Sequence, residues 1–404
     1  MLLTFAQGQK SPRRERRVVP GPLRVAIAGG GLGGPAAAAA LARAGVEPTV
    51  FERQEKIGRE GSALFIAANG VKALHDLGIG PAFGEVAQYQ RDGELRTPEG
   101  RLLFRLPADL MVESLGHPNA CIERTALRRV LLDGAGRGHV RLGAEVVGFE
   151  EDGDQVLVRL SDGSTEGFDA LVGADGIGSR VRGHVLGDTQ ARYVGYTAWR
   201  GVCETDVEWP KDIGCEQWGR GQRVGFSFLG RGVWGWWATK LVPQGGHDPA
   251  SGRAAAVARP FAGWWGPIER LIRATPDERV LRNDIFVRPP DRAWGRGRVT
   301  LLGDAVHLMT PDLGQGACQA MIDAVTLARV LKDSQRQDVP ERLRRYEALR
   351  IPQCELVARR SYKLGRSAHM ASRPGVALRN AIMRAIPAGL QAARLRRVIE
   401  RSMG

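Results

Sequence analysis

The apolar and polar positions along the chain divide it into three kinds of segment. A short unbroken apolar run, Val25 to Ala28, suits a parallel strand buried on both faces, and PAAAAALARAG (35–45) continues with helical spacing until a glycine stops it. PTVFER reads as a second strand ending at Glu52 and Ala170 to Val172 as a third. RVTLLGD reads as a fourth, with Asp304 emerging at its C-terminal end. YVGYTAWRGVCE and RVGFSFLGRGVWGWWATK read instead as antiparallel strands, the second a hairpin turning at Gly230, Arg231 and Gly232. Alternation places Trp234 and Trp236 on one strand face and Val233, Trp237 and Thr239 on the other. Residues 314–331, 339–366 and 375–400 carry helical spacing, the last two with arginine-rich polar faces.

Composition adds boundaries to this pattern. At 404 residues the chain is too long for one ordinary core and suggests two or three lobes. All nine tryptophans fall between residues 199 and 294, which marks a separate lobe. The net charge is +14, yet only seven of the 58 basic residues are lysine and the arginines are scattered except at the two ends. Without a clustered basic stripe, nucleic-acid binding is not expected. The five cysteines show no CxxC spacing, so neither a disulfide framework nor a metal site is expected, and a reducing, cytoplasmic location fits. Residues 1–20 read as a disordered basic tail with its charges placed the reverse of a secretory signal, and no run of about 18 apolar residues suggests a transmembrane segment.

The chemistry enters at RVAIAGGGLGG (24–34). Gly29, Gly31 and Gly34 form G-x-G-x-x-G between strand and helix: the first makes the tight turn, the second lets the backbone approach a pyrophosphate, and the third lets helix and strand pack closely. Glu52, 23 residues after Gly29, stands where a carboxylate accepts hydrogen bonds from an adenosine ribose. ALVGADGIGSRVR (170–182) ends a strand in Asp175 and Gly176, with Ser179 as a helix cap. LLGDAVHLMTPDLGQG (301–316) ends another in Asp304 and points the N-terminus of helix 314–331 at whatever lies beside Gly314 to Gly316. A second, distant contact set suits an extended cofactor, FAD, whose ribityl hydroxyls match a carboxylate and whose reduced ring is stabilised by a helix N-terminus.

With these three motifs in order, the chain resembles the single-component (group A) FAD-dependent monooxygenases of the para-hydroxybenzoate hydroxylase fold, near the zeaxanthin epoxidase-like and urate hydroxylase-like branches, over residues 22 to 400. The resemblance implies an α/β fold: a discontinuous Rossmann-like FAD-binding domain (21–82, 113–185 and 296–335) interleaved with an antiparallel-sheet substrate domain (83–112 and 186–295), then a C-terminal helical segment (336–404). It implies that Gly29, Gly31, Leu32, Gly33 and Gly34 hold the pyrophosphate, with Glu52 and Arg53 at the adenosine ribose. Arg124, in CIERTALRRVL, would reach the flavin. Asp175 and Gly176 belong to a motif linked to flavin and pyridine nucleotide, and Asp304 holds the ribityl chain. Pro311, Gly314, Gln315, Gly316 and Ala317 would lie beside the isoalloxazine. Val306, Leu308, Asp312 and Ile322 depart from the family pattern, as does Ala68, where a proline is usual. Substrate preference is expected among Val306, His307, Leu308 and Asp312.

The implied reaction uses NADH or NADPH and O2. Oxygen adds at the flavin C4a, and the resulting hydroperoxide hydroxylates or epoxidises an aromatic or conjugated apolar molecule. The candidate substrate contacts are Arg200, Phe226, Trp236 and Trp237, with His307 and Arg200 the candidates for a catalytic role. The alternatives are hydroxylation of a purine-like heteroaromatic, or an FAD dehydrogenase or reductase without oxygen insertion. The expected partners are a small-molecule substrate and, through the arginine-rich C-terminal helix, a peripheral membrane contact; the expected state is a monomer or homodimer.

Overall fold

The apolar run after Arg24 becomes the central strand of a five-stranded parallel sheet in the computed structural model, which describes residues 21–58, 61–187 and 190–403. The strands lie in the order Val299–Leu301, Ala170–Gly173, Arg24–Ala28, Glu47–Glu52, Val140–Leu142. Helix Gly33–Arg43 connects the first two in sequence, and its inner residues Ala36, Ala37, Ala38 and Ala39 are buried. Small side chains bring the helix close to the sheet and to helix Gly316–Leu331. The expected tail, 1–20, lies outside the described residues.

A second sheet has seven strands in the order Leu281–Val287, Arg192–Glu204, Val233–Leu241, Gln222–Gly230, Ile213–Trp218, Asp92–Arg96, Leu102–Pro107. It is antiparallel except where Ile213–Trp218 runs beside Asp92–Arg96. The chain leaves the parallel sheet twice to build it, so the two sheets are interleaved in sequence. The hairpin turns at Arg231 (φ 51°) and Gly232 (φ 82°), the left-handed conformation that a two-residue turn requires.

One face of this sheet is closed by helices Arg253–Ala258 and Ile268–Arg273: Phe226, Trp234 and Trp236 share a core with Ile268, Leu271 and Ile272. The other face carries Tyr196, Arg200, Arg223, Ser227, Trp237 and Thr239, paired across the strands by register.

The C-terminal pattern expected as one helix over 375–400 is two, Arg373–Ala385 and Ala388–Arg401. The reason is Pro387: it has no N–H to donate, and it holds the preceding Ile386 in an extended conformation (ψ 123°).

Candidate active site

Two of the three motif glycines are required by the protein itself. Gly29 (φ 103°) donates its N–H to the Phe51 carbonyl at 2.8 Å, and a Cβ there would lie 2.5 Å from the Ala174 carbonyl oxygen. A Cβ on Gly34 would lie 1.9 Å from the Gly29 carbonyl oxygen. At Gly31 a Cβ would meet no protein atom within 4 Å, so the constraint there is left to a ligand that approaches the backbone. Gly33 is held differently, by Leu302, whose side chain a Cβ would meet at 2.7 Å, while Leu32 is half-buried just before the helix.

Glu52 is buried at the end of its strand and accepts from the Gly30 N–H at 2.7 Å and the Gln54 N–H at 2.9 Å. Arg128 lies 3.4 Å from the same carboxylate and donates to the Gly30 carbonyl at 2.7 Å. The sequence reading missed Arg128, although it stands one helical turn beyond Arg124 and so shares its helix face. Arg53, next to Glu52, is exposed.

The second and third motifs converge on this loop. Asp175 follows Ala174 against Gly29 and turns its carboxylate into the start of helix Arg180–Leu186. It accepts there from Ser179 Oγ at 2.5 Å and the Arg180 N–H at 2.8 Å. Burial raises its pKa, although these hydrogen bonds favour the charged form. Ser179 caps that helix by accepting from the Arg182 N–H at 2.9 Å, and Gly176 (φ 77°) makes the turn between. Asp304 is exposed within an otherwise buried run from 301 to 310, and its Oδ1 lies 3.8 Å from where a Cβ on Gly316 would stand. Pro311 opens the short turn to Gly314, whose backbone (φ 63°) passes Phe65. Gln315 is buried, its Oε1 accepting from Asn69 at 2.8 Å and Gln319 at 3.0 Å, so its side chain fixes the helix start; Gly316 and Ala317 follow, half-buried. Ala68, in the usual proline position, gives its N–H to Asn119 Oδ1 at 2.9 Å, a bond proline lacks.

The open face of the second sheet meets these loops. Tyr196 donates to Asp312 Oδ2 at 2.9 Å and Arg223 donates to Asp312 Oδ1 at 2.5 Å, while Arg223 also pairs with Glu216 at 3.0 Å. His369 stacks on Tyr196, ring centroids 4.0 Å apart, with Nε2 2.8 Å from Thr239 Oγ1. Burial, followed by the Arg223 charge, brings His369 down to about 4, so the ring is neutral at pH 7. Arg200 stands directly across the strand pair from Trp237, half-buried, its side chain with no hydrogen bond or ion pair among the described residues. Burial, followed by the Arg124 charge, weakens its hold on the proton, and Tyr196 and Asp304 act the other way.

Five of the expected positions, Phe226, Trp236, Val306, His307 and Leu308, lie elsewhere. Phe226 and Trp236 are fully buried on the helix-covered face, where Trp236 Nε1 donates to Thr275 at 2.8 Å. Val306 and Leu308 are buried, lining a small cavity with Trp294 and with Ile351 and Cys354 of helix Val339–Ala368. His307 is buried, with Nε2 2.7 Å from Asp323 Oδ2, while Arg350 holds Asp323 Oδ1 at 2.7 Å. Burial opposes the charged imidazole, but the Cys354 sulfur and the Asp323 carboxylate outweigh it and raise the His307 pKa. A histidine so paired is a structural ion-pair partner rather than a base facing substrate. His307, Asp323 and Cys354 bring three ligand-type atoms within 4.8 Å of one another, but the Arg350 charge on the same carboxylate opposes a metal cation. A separate cleft of about 640 Å³ is lined by Glu123, Thr125, Arg129 and Arg231 and by none of the expected cofactor residues.

A family model described as FAD binding domain matches residues 22–203 and 290–361. The chain belongs to the FAD-dependent monooxygenase family. This flavoprotein is 38% identical to the aurachin C monooxygenase/isomerase of Stigmatella aurantiaca over 94% of its own length and 98% of that protein. It is 36% identical to the chloroplastic zeaxanthin epoxidase of Oryza sativa subsp. japonica, covering 81% of this chain and 53% of the epoxidase. Among solved structures, that of Klebsiella pneumoniae HpxO complexed with FAD and uric acid superposes with a TM-score of 0.87 at 32% identity, covering 94% of this chain and 97% of that one. The flavoprotein is an enzyme of the oxidoreductase class, and FAD is its cofactor.

Proposed function

We propose that this flavoprotein inserts one oxygen atom from O2 into an aromatic or conjugated apolar molecule, using NADH or NADPH as reductant. The observation that carries the reading is Arg200 opposite Trp237 on the open sheet face. An unpaired cation beside a flat aromatic suits an electron-rich ring bearing a phenolate, carbonyl or carboxylate.

FAD supplies the hydride acceptance and oxygen chemistry when bound. The residues that would hold it fit its parts: the Gly29–Gly34 backbone and the start of helix Gly33–Arg43 for the pyrophosphate, Glu52 for the adenosine ribose and Asp304 for the ribityl hydroxyls. The backbone from Gly314 to Ala317, at the N-terminus of helix Gly316–Leu331, offers N–H donors to a negatively charged ring edge. We assign segments 21–82, 113–185 and 296–335 to this cofactor role. Arg200 then orients the substrate, Trp237 packs its flat face, and the roof of the sheet excludes water. Asp312, Arg223 and Tyr196 hold roof and flavin loop together. All five cysteines are free and buried, which supports a reducing cytoplasmic setting.

Isotopically labelled O2, supplied with NADH or NADPH to the holoenzyme over a panel of phenols, quinolones, polyenes and purines, tests the reaction. One labelled oxygen atom per nicotinamide oxidised is expected in the product. Turnover of substrate without label would establish a dehydrogenase or reductase instead.

A further inference from the structure

Helix Arg373–Ala385 is built inside out. Its inward side holds Arg379, buried, donating to the Ser367 and Ala368 carbonyls at 3.1 Å each with its guanidinium 5.3 Å from the Trp218 ring centroid. Met383, half-buried, packs against the small core of Leu95, Leu103, Trp218 and Ala368. The outward positions, one and two turns apart, are Pro374, Ala377, Leu378, Ala381, Ile382 and Ala385, all exposed; Leu378 is 62% and Ile382 50% accessible. Leu390, at the start of the next helix, is 46% accessible. A helix that buries an arginine and presents leucine and isoleucine to solvent is amphipathic in the reverse sense of a core-packing helix.

The charges along this stretch of chain are of one sign. Between Glu355 and Glu400 the chain has no Asp or Glu and ten Lys or Arg. Of these, Lys363, Arg366, Arg373, Arg384, Arg394 and Arg397 are exposed. We propose that the outward face of helix Arg373–Ala385, extended by Leu390, docks on the surface of a bilayer containing anionic lipid. The apolar stripe enters the interface and the flanking arginines meet the lipid phosphates. A second copy of this chain would bring the same cations face to face with these, and a nucleic acid would satisfy the arginines but leave Leu378 and Ile382 in water. A bilayer takes both.

The docking face is fixed to the substrate sheet. The Gly221 N–H donates to the Met370 carbonyl at 3.0 Å, Arg220 to the Ala371 carbonyl at 3.1 Å and Arg379 to the Trp218 carbonyl at 3.4 Å. Docking would therefore hold that end of the sheet at the bilayer, where apolar molecules dissolve. No helix among the described residues is long and apolar enough to cross a membrane, so this contact is interfacial.

The holoprotein is sedimented with vesicles of phosphatidylglycerol and phosphatidylcholine, and with vesicles of phosphatidylcholine alone. Binding to the anionic vesicles is expected to be at least about tenfold stronger and to weaken as salt is raised. The double substitution Leu378→Glu and Ile382→Glu is expected to lower that binding at least about tenfold with FAD content and circular dichroism unchanged. The milder pair Leu378→Ser and Ile382→Ser gives the same direction should the charged pair fail to fold. Wild-type protein left in the supernatant, or variants that bind vesicles as well as wild type, would overturn the proposal. A wild-type dimer that dissociates in the variants would also overturn it, assigning the face to a second copy.

Discussion

The Tyr196 hydroxyl donates to Asp312 Oδ2 across 2.9 Å and so ties the seven-stranded sheet to the loop that opens helix Gly316–Leu331. Asp312, Arg223, Glu216, Thr239 and His369 extend this contact into a buried network that reaches the long C-terminal helix, where Asp312 also lies against Gly365. The seven-stranded sheet is thereby anchored to the loop before helix Gly316–Leu331 by charge as well as by packing.

Removing one partner of a buried pair leaves the other uncompensated. Arg223→Met is expected to lower unfolding stability by about 3–5 kcal/mol, since it strands a fully buried Asp312. Adding Asp312→Asn to that variant is expected to recover part of the loss, because a neutral amide keeps a partner for the Tyr196 hydroxyl. Urea unfolding of the two single variants and the double variant gives the coupling directly.

His369 carries a pH dependence of known sign. Its pKa falls from 6.5 in the unfolded chain to about 4 in the fold, so the folded state favours the neutral ring. This contribution is intact above pH 6.5 and is lost as pH falls from there toward 4, amounting to ~3 kcal/mol below that range. Compared at pH 7, 5.5 and 4.5, His369→Gln is expected to lose less stability over this interval than wild type. Parallel slopes for the two proteins would remove His369 from the account.

The glycine loop separates cofactor binding from folding. Gly31→Ala adds a methyl that meets no protein atom, so the apoprotein is expected to melt at the wild-type temperature while FAD affinity falls at least about tenfold. Gly34→Ala places its methyl 1.9 Å from a backbone oxygen and is expected to reduce the yield of folded protein. Thermal melting of apoprotein and FAD titration distinguish the two effects.

Arg200 is unpaired among the described residues, so its removal costs the fold little. Arg200→Met is expected to keep or raise the melting temperature and to lower kcat/KM by about 10- to 100-fold, mainly through KM, as loss of a charge-assisted hydrogen bond does. Unchanged KM for the true substrate would take Arg200 out of the site.

The two adjacent tryptophans should respond oppositely. Trp236→Ala removes a fully buried ring hydrogen-bonded to Thr275 and is expected to cost about 3–5 kcal/mol in unfolding stability. Trp237→Phe, on the open face, is expected to leave stability within about 1 kcal/mol and to alter the ranking of substrates, read from coupled nicotinamide oxidation.

The parallel strands, the glycine turn and the exposed Asp304 were legible in the sequence because each is local. A run of four apolar residues, a glycine spacing and a carboxylate at a strand end are set by neighbours along the chain. Two-residue periodicity likewise showed that Trp234 and Trp236 share one face and Trp237 takes the other. It could not say which face meets the cofactor lobe, because that depends on helices Arg253–Ala258 and Ile268–Arg273 packing on one side.

The partners of charged groups were decided by tertiary structure alone. His307 was paired with Asp323, which Arg350 also holds, and Asp312 was drawn to Arg223 from 89 positions away. Arg128 reaches from helix Arg124–Ala135 to Glu52 at the end of strand Glu47–Glu52. The C-terminal arginines followed the same rule: helical spacing assigned them to a polar outer face, yet Arg379 turned inward to carbonyls of the preceding helix and to Trp218 and left Leu378 and Ile382 outside. Local pattern sets the element and its faces, while the side that is buried depends on which distant surface offers the better partner for its polar groups.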